Sequence, residues 1–311
     1  MMRFKKNINV FLVLFFLICE NTYSIENKIL IKVDNEIITS IDIINESKYL
    51  KALNPEINNL TNDKIFEISK NSILREKIKK IEILKRVNNV KVERKFLDKL
   101  IFNTYSKLGI NSKDEFKKHL EKYKIDINTV EDKISIEAIW NEFIYFKYSN
   151  KVKIDEEKLR QEINQNKVSN NVSLFLYEIV FNEKDKDSLK IKYESIKKDI
   201  SEKGFENAAL IHSISDTSRM GGKVGWIKKN SLSKKIKDEI EKINIGEITE
   251  PITIPGGFLI LNIKDKKKVI EEIDIEDELK NQISYNKNIQ LNQFSNIYFN
   301  KIKKDVIISE N

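Results

Sequence analysis

Cysteine, histidine, proline and glycine are all scarce in this sequence, and each scarcity excludes something. One Cys in 311 residues rules out a disulfide framework within the chain. Two His make a multi-histidine metal site or a His-rich catalytic centre hard to build. Eight Gly and three Pro exclude collagen-like and low-complexity classes. They also disfavour an all-β sandwich, which needs many turn residues. Arginine is confined to positions 3, 75, 86, 94, 160 and 219, so the formal charge of +8 is carried almost wholly by Lys. Lys, Asn and Ile recur along the whole chain and not in one basic patch. The basic excess therefore reads as solvated surface, and no nucleic-acid partner is expected. Against these absences, 40% hydrophobic residues suffice for a real core. The length leaves room for about two ordinary domains, or one core with a helical appendage.

The first residues read as an address. Arg3, Lys5 and Lys6 precede an apolar run over 10–18, and Thr22-Tyr23-Ser24 places small residues before a cut after Ser24. That is the pattern of a secretory signal peptide over 1–24. The run is too short for a comfortable transmembrane helix. Lipidation at Cys19 would want a small residue where Ile18 stands. Cleavage removes the only Cys, and a Cys-free mature chain suits an oxidising compartment. No later stretch could span a membrane, so no integral membrane segment is expected in the mature chain.

Periodicity divides the remainder. Residues 29–33 and 36–39 read as a strand pair around the Asp34-Asn35 turn, and Ser40 reads as a helix cap. Helices follow over about 62–87, with Ile65, Ile68, Ile73 and Ile78 on one stripe, then 92–108, 112–123 and 128–148. A charged connecting helix covers 155–166. The texture changes at 172. A strand runs to Phe181, helices cover 186–202 and 205–211, and Gly221-Gly222 turns the chain toward Gly225-Trp226. A helix over 232–242 and strands over 248–254 and 258–264 complete a β-α-α-β-α-β-β order, which fits a compact α+β unit with a small antiparallel sheet. After 268 the chain is helical again to about 306. Its apolar face, with Leu279, Phe294 and Tyr298, needs a partner surface, most simply the first helical region. The expected division is 1–24 leader, 25–150 helical domain, 151–171 connector, 172–268 α+β domain and 269–311 returning helix.

Several consecutive spacings in the α+β part coincide with one known pattern. Ala208-Ala209 before His212-Ser213 is followed by Gly221-Gly222-Lys223-Val224-Gly225-Trp226, then Gly246-Glu247-Ile248-Thr249-Glu250-Pro251-Ile252 and Gly257-Phe258-Leu259-Ile260. This resembles the parvulin (PpiC-type) family of peptidyl-prolyl cis/trans isomerases. The order of leader, strand pair, helical domain, one parvulin-like domain and returning helix is similar to that of SurA-type periplasmic chaperones. The resemblance implies a helical N-terminal chaperone domain completed by the C-terminal helix.

The resemblance also implies where a site would fall. Parvulins have two histidines and a Cys or Asp behind an apolar cup for proline. The first histidine position falls at Glu178, the second at Leu259, and the Cys or Asp position at Ser215 with Asp216 adjacent. The cup falls at Leu232, Ile236, Ile254 and Phe258. Gly221 and Gly222 read as a structural turn, and His212 as packing. Isomerisation crosses a barrier of about 18–20 kcal/mol with no bond broken, so no nucleophile, metal or cofactor is expected. The implied function is binding of unfolded or proline-containing polypeptides in the periplasm, with outer-membrane protein precursors as clients. The replaced histidines imply weak or absent isomerase activity. The alternatives are a competent isomerase with an unusual site, or a non-catalytic interaction scaffold.

Overall fold

The computed structural model describes residues 27–165, 171–269 and 274–310; the expected leader and the cut after Ser24 lie outside them. β1 (Ile29–Val33) and β2 (Glu36–Thr39) form an antiparallel hairpin. Its turn holds Asp34 at φ 50°, a left-handed conformation that Asp tolerates better than most residues. α1 (Ser40–Leu53) starts on Thr39 and not on Ser40. The Asp42 carboxylate accepts from the Thr39 N–H at 2.8 Å, and the Thr39 hydroxyl accepts from the Asp42 N–H at 3.3 Å. This reciprocal box fixes the start one residue earlier than expected.

α2 (Asn62–Leu84), α3 (Arg94–Lys107), α4 (Lys113–Glu121) and α5 (Ile127–Tyr148) then build the helical part. One apolar cluster joins Leu50, Ile57, Ile101, Phe116 and Val130. A second surrounds the fully buried Trp140 and joins the hairpin residues Ile31, Val33 and Ile38 to Ile78 and Ile144. α6 (Glu156–Gln165) leads into the α+β part.

The C-terminal helix, α10 (Ile275–Asp305), completes this second cluster. It contributes Tyr298, Phe299 and Ile302, and Trp140 donates its indole N–H to Ser295 at 2.8 Å. Tyr148 stacks on Phe294 with ring centroids 4.9 Å apart. A strand not expected from the sequence follows: β7 (Ile308–Glu310) pairs with β1, so the two ends of the described chain share one sheet.

The α+β part runs β3 (Asn171–Phe181), α7 (Lys186–Lys203), α8 (Phe205–His212), β4 (Lys223–Lys228), α9 (Lys234–Ile240), β5 (Ile252–Ile254) and β6 (Gly257–Val269). The antiparallel sheet has the order β4-β3-β6-β5. Strand alternation sorts its side chains. Leu174, Leu176 and Val180 of β3 and Leu259, Leu261 and Ile263 of β6 pack with α9. Ile179, Phe181 and Ile260 face the other way, against α7 and α8. The helix expected over 232–242 is shorter than its apolar pattern, because Ser233 caps it through the Ile236 N–H and leaves Leu232 outside. The strand expected over 248–254 pairs only over 252–254, and Ile248 keeps a single bridge to Asn262.

Candidate functional site

Glu178 lies on β3, on the face that packs with α9. Its N–H donates to the Gly222 carbonyl at 2.8 Å. Gly222 sits at φ 78°, and a Cβ there would run into the Glu178 carbonyl oxygen and the Ala209 side chain. Only glycine lets the loop approach β3 this closely. Gly221, at φ 66°, closes the 3-10 turn Asp216–Met220 in the left-handed region. The two glycines thus shape the loop beside Glu178.

The loop returns two hydroxyls to the Glu178 side chain. Ser215 Oγ donates to Glu178 Oε1 at 2.6 Å, and Thr217 Oγ1 donates to the same oxygen at 2.9 Å. Burial pushes the Glu178 carboxyl above its ordinary pKa, and the nearby Asp216 charge adds to this; the two hydroxyls oppose without reversing it. The charged form of Glu178 is therefore less favoured than that of a solvent-exposed glutamate. Thr217 was not anticipated as part of this floor. Its position two residues beyond Ser215, at the start of a short turn, is the only signal the sequence carries.

The expected apolar residues separate. Leu232, Ile236 and Leu259 are buried together in the cluster under Glu178, and Ile254 packs against them. Phe258 does not join them. It precedes Leu259 on β6, so alternation turns it to the opposite face, where its ring lies 5.7 Å from that of Phe181. The four residues expected to line one cup thus do not share one face: Leu232, Ile236 and Ile254 lie in one cluster and Phe258 in another.

Asp216 also leaves the floor. Its carboxylate accepts from Lys79 Nζ of α2 at 2.9 Å and lies 3.5 Å from Arg75. Around it runs a charge network absent from the sequence reading. Lys79 also pairs with Glu137 at 2.5 Å, Arg219 with Glu137 at 3.3 Å, and Lys133 with Glu46 and Glu76 at 2.6 and 2.7 Å. Burial acts to raise the Asp216 and Glu46 pKa values, but the charges of Lys79 and Arg75 on one, and of Lys133 and Arg219 on the other, outweigh it and hold both below the ordinary range. A signal existed: Glu76, Lys79 and Lys133 occupy positions that the helical period turns inward.

His212 packs as expected. Its Nε2 lies 2.7 Å from Asp199 Oδ2. Burial and the charges of Lys192, Lys203 and Lys64 lower its pKa to about 4. The Asp199 carboxylate is itself shared with Lys203 and Lys64, which blunts its pull on the imidazole. Among the described residues no group of three His, Cys, Asp or Glu side chains is placed to hold a metal ion.

Residues 174–265 match the family model described as rotamase, PPIC-type PPIASE domain. The chain carries a PpiC-type rotamase domain. The chain is similar to the chaperone SurA of Pseudomonas putida, 35% identical over 75 residues, which is 24% of this chain and 17% of that protein. The periplasmic chaperone PpiD of Haemophilus influenzae is 27% identical over 78 residues, 25% of this chain and 12% of that protein. The chain thus spans less than a fifth of the length of these curated relatives. A solved SurA-like chaperone of Campylobacter jejuni covers 92% of this chain and 99% of its own, at 15% identity and a TM-score of 0.34. The glycine and Gly-Glu-Ile-Thr-Glu-Pro motifs implied a PpiC-type domain and the order of elements a SurA-type chaperone; the family model and the SurA relatives return the same likeness. Among the described residues no helix is long and apolar enough to cross a membrane.

Proposed function

We propose that this protein is a periplasmic folding chaperone that binds unfolded polypeptides, outer-membrane protein precursors among them, and whose rotamase domain isomerises proline bonds weakly or not at all. The observation that carries the reading is a cleft of 430 Å³ between the helical part and the rotamase domain. Leu50, Ile68, Leu74 and Ile78 wall one side, and Leu210 and Phe299 contribute from α8 and α10. Lys64, Arg75 and Lys303 supply a polar rim. Such a cleft accepts a few apolar side chains of an extended chain, with the polar rim left for its backbone, and nothing in that binding needs ATP. The weak-isomerase part follows from the floor: a carboxyl with two hydroxyls and the apolar Leu259 stand where the parvulin resemblance puts two imidazoles. The SurA and PpiD relatives are chaperones by name, and the leader expected over 1–24 accords with the periplasm. The test is suppression of aggregation of an unfolded outer-membrane protein, with a proline-tetrapeptide isomerisation assay beside it. Suppression at near-stoichiometric protein, with isomerisation far below that of an ordinary parvulin, is the expected pair of results. No suppression of any unfolded client would overturn the chaperone reading.

A further inference from the structure

The face of the rotamase sheet that carries Glu178 and Leu259 packs with Leu232 and with Ile236 of α9, and a side chain of α10 joins that cluster. Tyr285, half-buried, packs against the apolar cluster formed by these leucines and isoleucines. Its phenol is pushed above the ordinary tyrosine range, by burial first and by the Glu178 carboxyl second. Gln282 and Asn286 of the same helix share with Leu232 and with Leu159 of α6 a small cleft of 180 Å³.

The helix is pinned on both sides of Tyr285. Glu278 pairs with Lys228 of the rotamase domain at 2.8 Å. Gln290 exchanges two hydrogen bonds with the Lys153 backbone, at 2.7 and 3.0 Å, and Ser295 accepts from Trp140. Between these anchors the residues flanking Tyr285 are mostly polar: Lys280, Asn281, Gln282, Ser284, Asn286, Lys287 and Asn288. One aromatic side chain among polar neighbours therefore makes the apolar contact to the cup. A single tyrosine carries a large apolar payload, comparable with what a proline residue would bury in the same place.

We propose that the rotamase cup is a docking site for the chain's own C-terminal helix, with Tyr285 standing where a proline-bearing segment would sit, so that such a segment binds only by displacing it. This rests on the reading of residues 174–265 as a rotamase-type peptide binder. A cup open for a small fraction of the time binds its ligand more weakly by that fraction, so removing the occupant should tighten binding without adding any contact.

The test uses the full mature chain and a blocked alanyl-phenylalanyl-prolyl-phenylalanine tetrapeptide, with binding read by titration and by the methyl resonances of Leu232 and Ile236. Tyr285→Ala is expected to bind the peptide at least tenfold more tightly than the wild type, with those methyls shifted; Tyr285→Phe should resemble the wild type. If Tyr285→Ala fails to fold, Lys228→Glu loosens the same segment from outside the cup, and tighter binding is again expected. Equal affinity in wild type and opened variant, no binding in either, or binding with the Leu232 and Ile236 methyls unmoved would each overturn the proposal. Aggregation suppression with a proline-free client reads the chaperone function separately, so failure of that function would not be mistaken for failure of this one.

Discussion

Asp216 of the rotamase loop accepts a hydrogen bond from Lys79 of α2 at 2.9 Å, while its neighbour Ser215 donates to Glu178 at 2.6 Å. One short turn thus ties Glu178 of β3 to the buried charge network of the helical part. Lys79 is fully buried, whereas the Asp216 side chain keeps 39% exposure. Solvent at the Asp216 carboxylate therefore screens its part of the network.

The consequence for stability is asymmetric. Asp216→Asn should cost about 1–2 kcal/mol, the lower end for hydrogen bonds to charged groups. Lys79→Met should cost more, about 2–3 kcal/mol, because Glu137 and Asp216 both lose their shared cation and keep only the longer pairs to Arg219 and Arg75. Urea unfolding of both variants measures this. An Asp216→Asn loss exceeding the Lys79→Met loss would contradict the network as described.

The two loop glycines give a sharper contrast. Gly109 and Gly222 have nearly the same φ, 75° and 78°, but nothing lies within 4 Å of a Cβ added at Gly109, whereas one at Gly222 meets the Glu178 carbonyl. Gly109→Ala should cost about 1–2 kcal/mol, the backbone term alone. Gly222→Ala should cost distinctly more and should shift the Glu178 amide resonance, since the Glu178 N–H bonds the Gly222 carbonyl. Equal losses would show that the loop gives way without strain.

Much of the fold was legible because it obeys simple periods. The β-α-α-β-α-β-β order, the long inward stripe of α2 and the need of the last helix for a partner all follow from apolar spacing. What escaped was set by partners far away in sequence. β7 is three residues that become a strand only because β1 offers an open edge. Asp216 looked like a floor residue until Lys79 and Arg75, more than a hundred residues earlier, claimed it. Phe258 was placed in the cup by its position after Gly257, yet the pleat of β6 sends it to the other face. Leu232 and Ile236 were found together because their contacts are local to one helix start.

The C-terminal helix should be indispensable to the first helical part. Tyr298, Phe299 and Ile302 close the cluster around Trp140, and burying each large apolar side chain contributes roughly 1.5–3 kcal/mol. Ending the chain at Lys268 should therefore expose the backbone amides of α2 and α5 to hydrogen exchange far more than those of β3 and β6. Unchanged protection in α2 and α5 would disprove that dependence.

His212 predicts an acid limb. Its folded pKa of about 4 lies below the ordinary 6.5, so between these values the unfolded chain binds more protons than the folded one. The stability tied to neutral His212 is fully present above about pH 6.5 and is lost as pH falls through about 4. Over that window of about 2.5 pH units the loss amounts to about 3 kcal/mol at 1.36 kcal/mol per pKa unit. His212→Gln should flatten the Tm-against-pH curve there while leaving the carboxylate-driven fall below pH 4, where Glu46 and Asp216 lose their ion pairs. An unaltered slope between pH 6.5 and 4 would mean that His212 does not stay neutral.

Glu178 carries the opposite sign. Its folded pKa is raised above the ordinary carboxylate value, so the folded state holds the proton more tightly than the unfolded one. The stability tied to neutral Glu178 is fully present below the ordinary carboxylate pKa and is lost as pH rises through the raised folded value. Gln cannot ionise, yet its amide oxygen still accepts from Ser215 and Thr217. Glu178→Gln should therefore match the wild type below the ordinary carboxylate pKa and become more stable than it as pH rises above that value, in paired thermal melts. The same variant should leave proline-peptide isomerisation as slow as in the wild type, because neither side chain supplies an imidazole and Leu259 supplies no hydrogen bond at all. A stability difference that shrinks as pH rises would show that the carboxyl is ionised and paired, and the floor would then have to be read as a charged one.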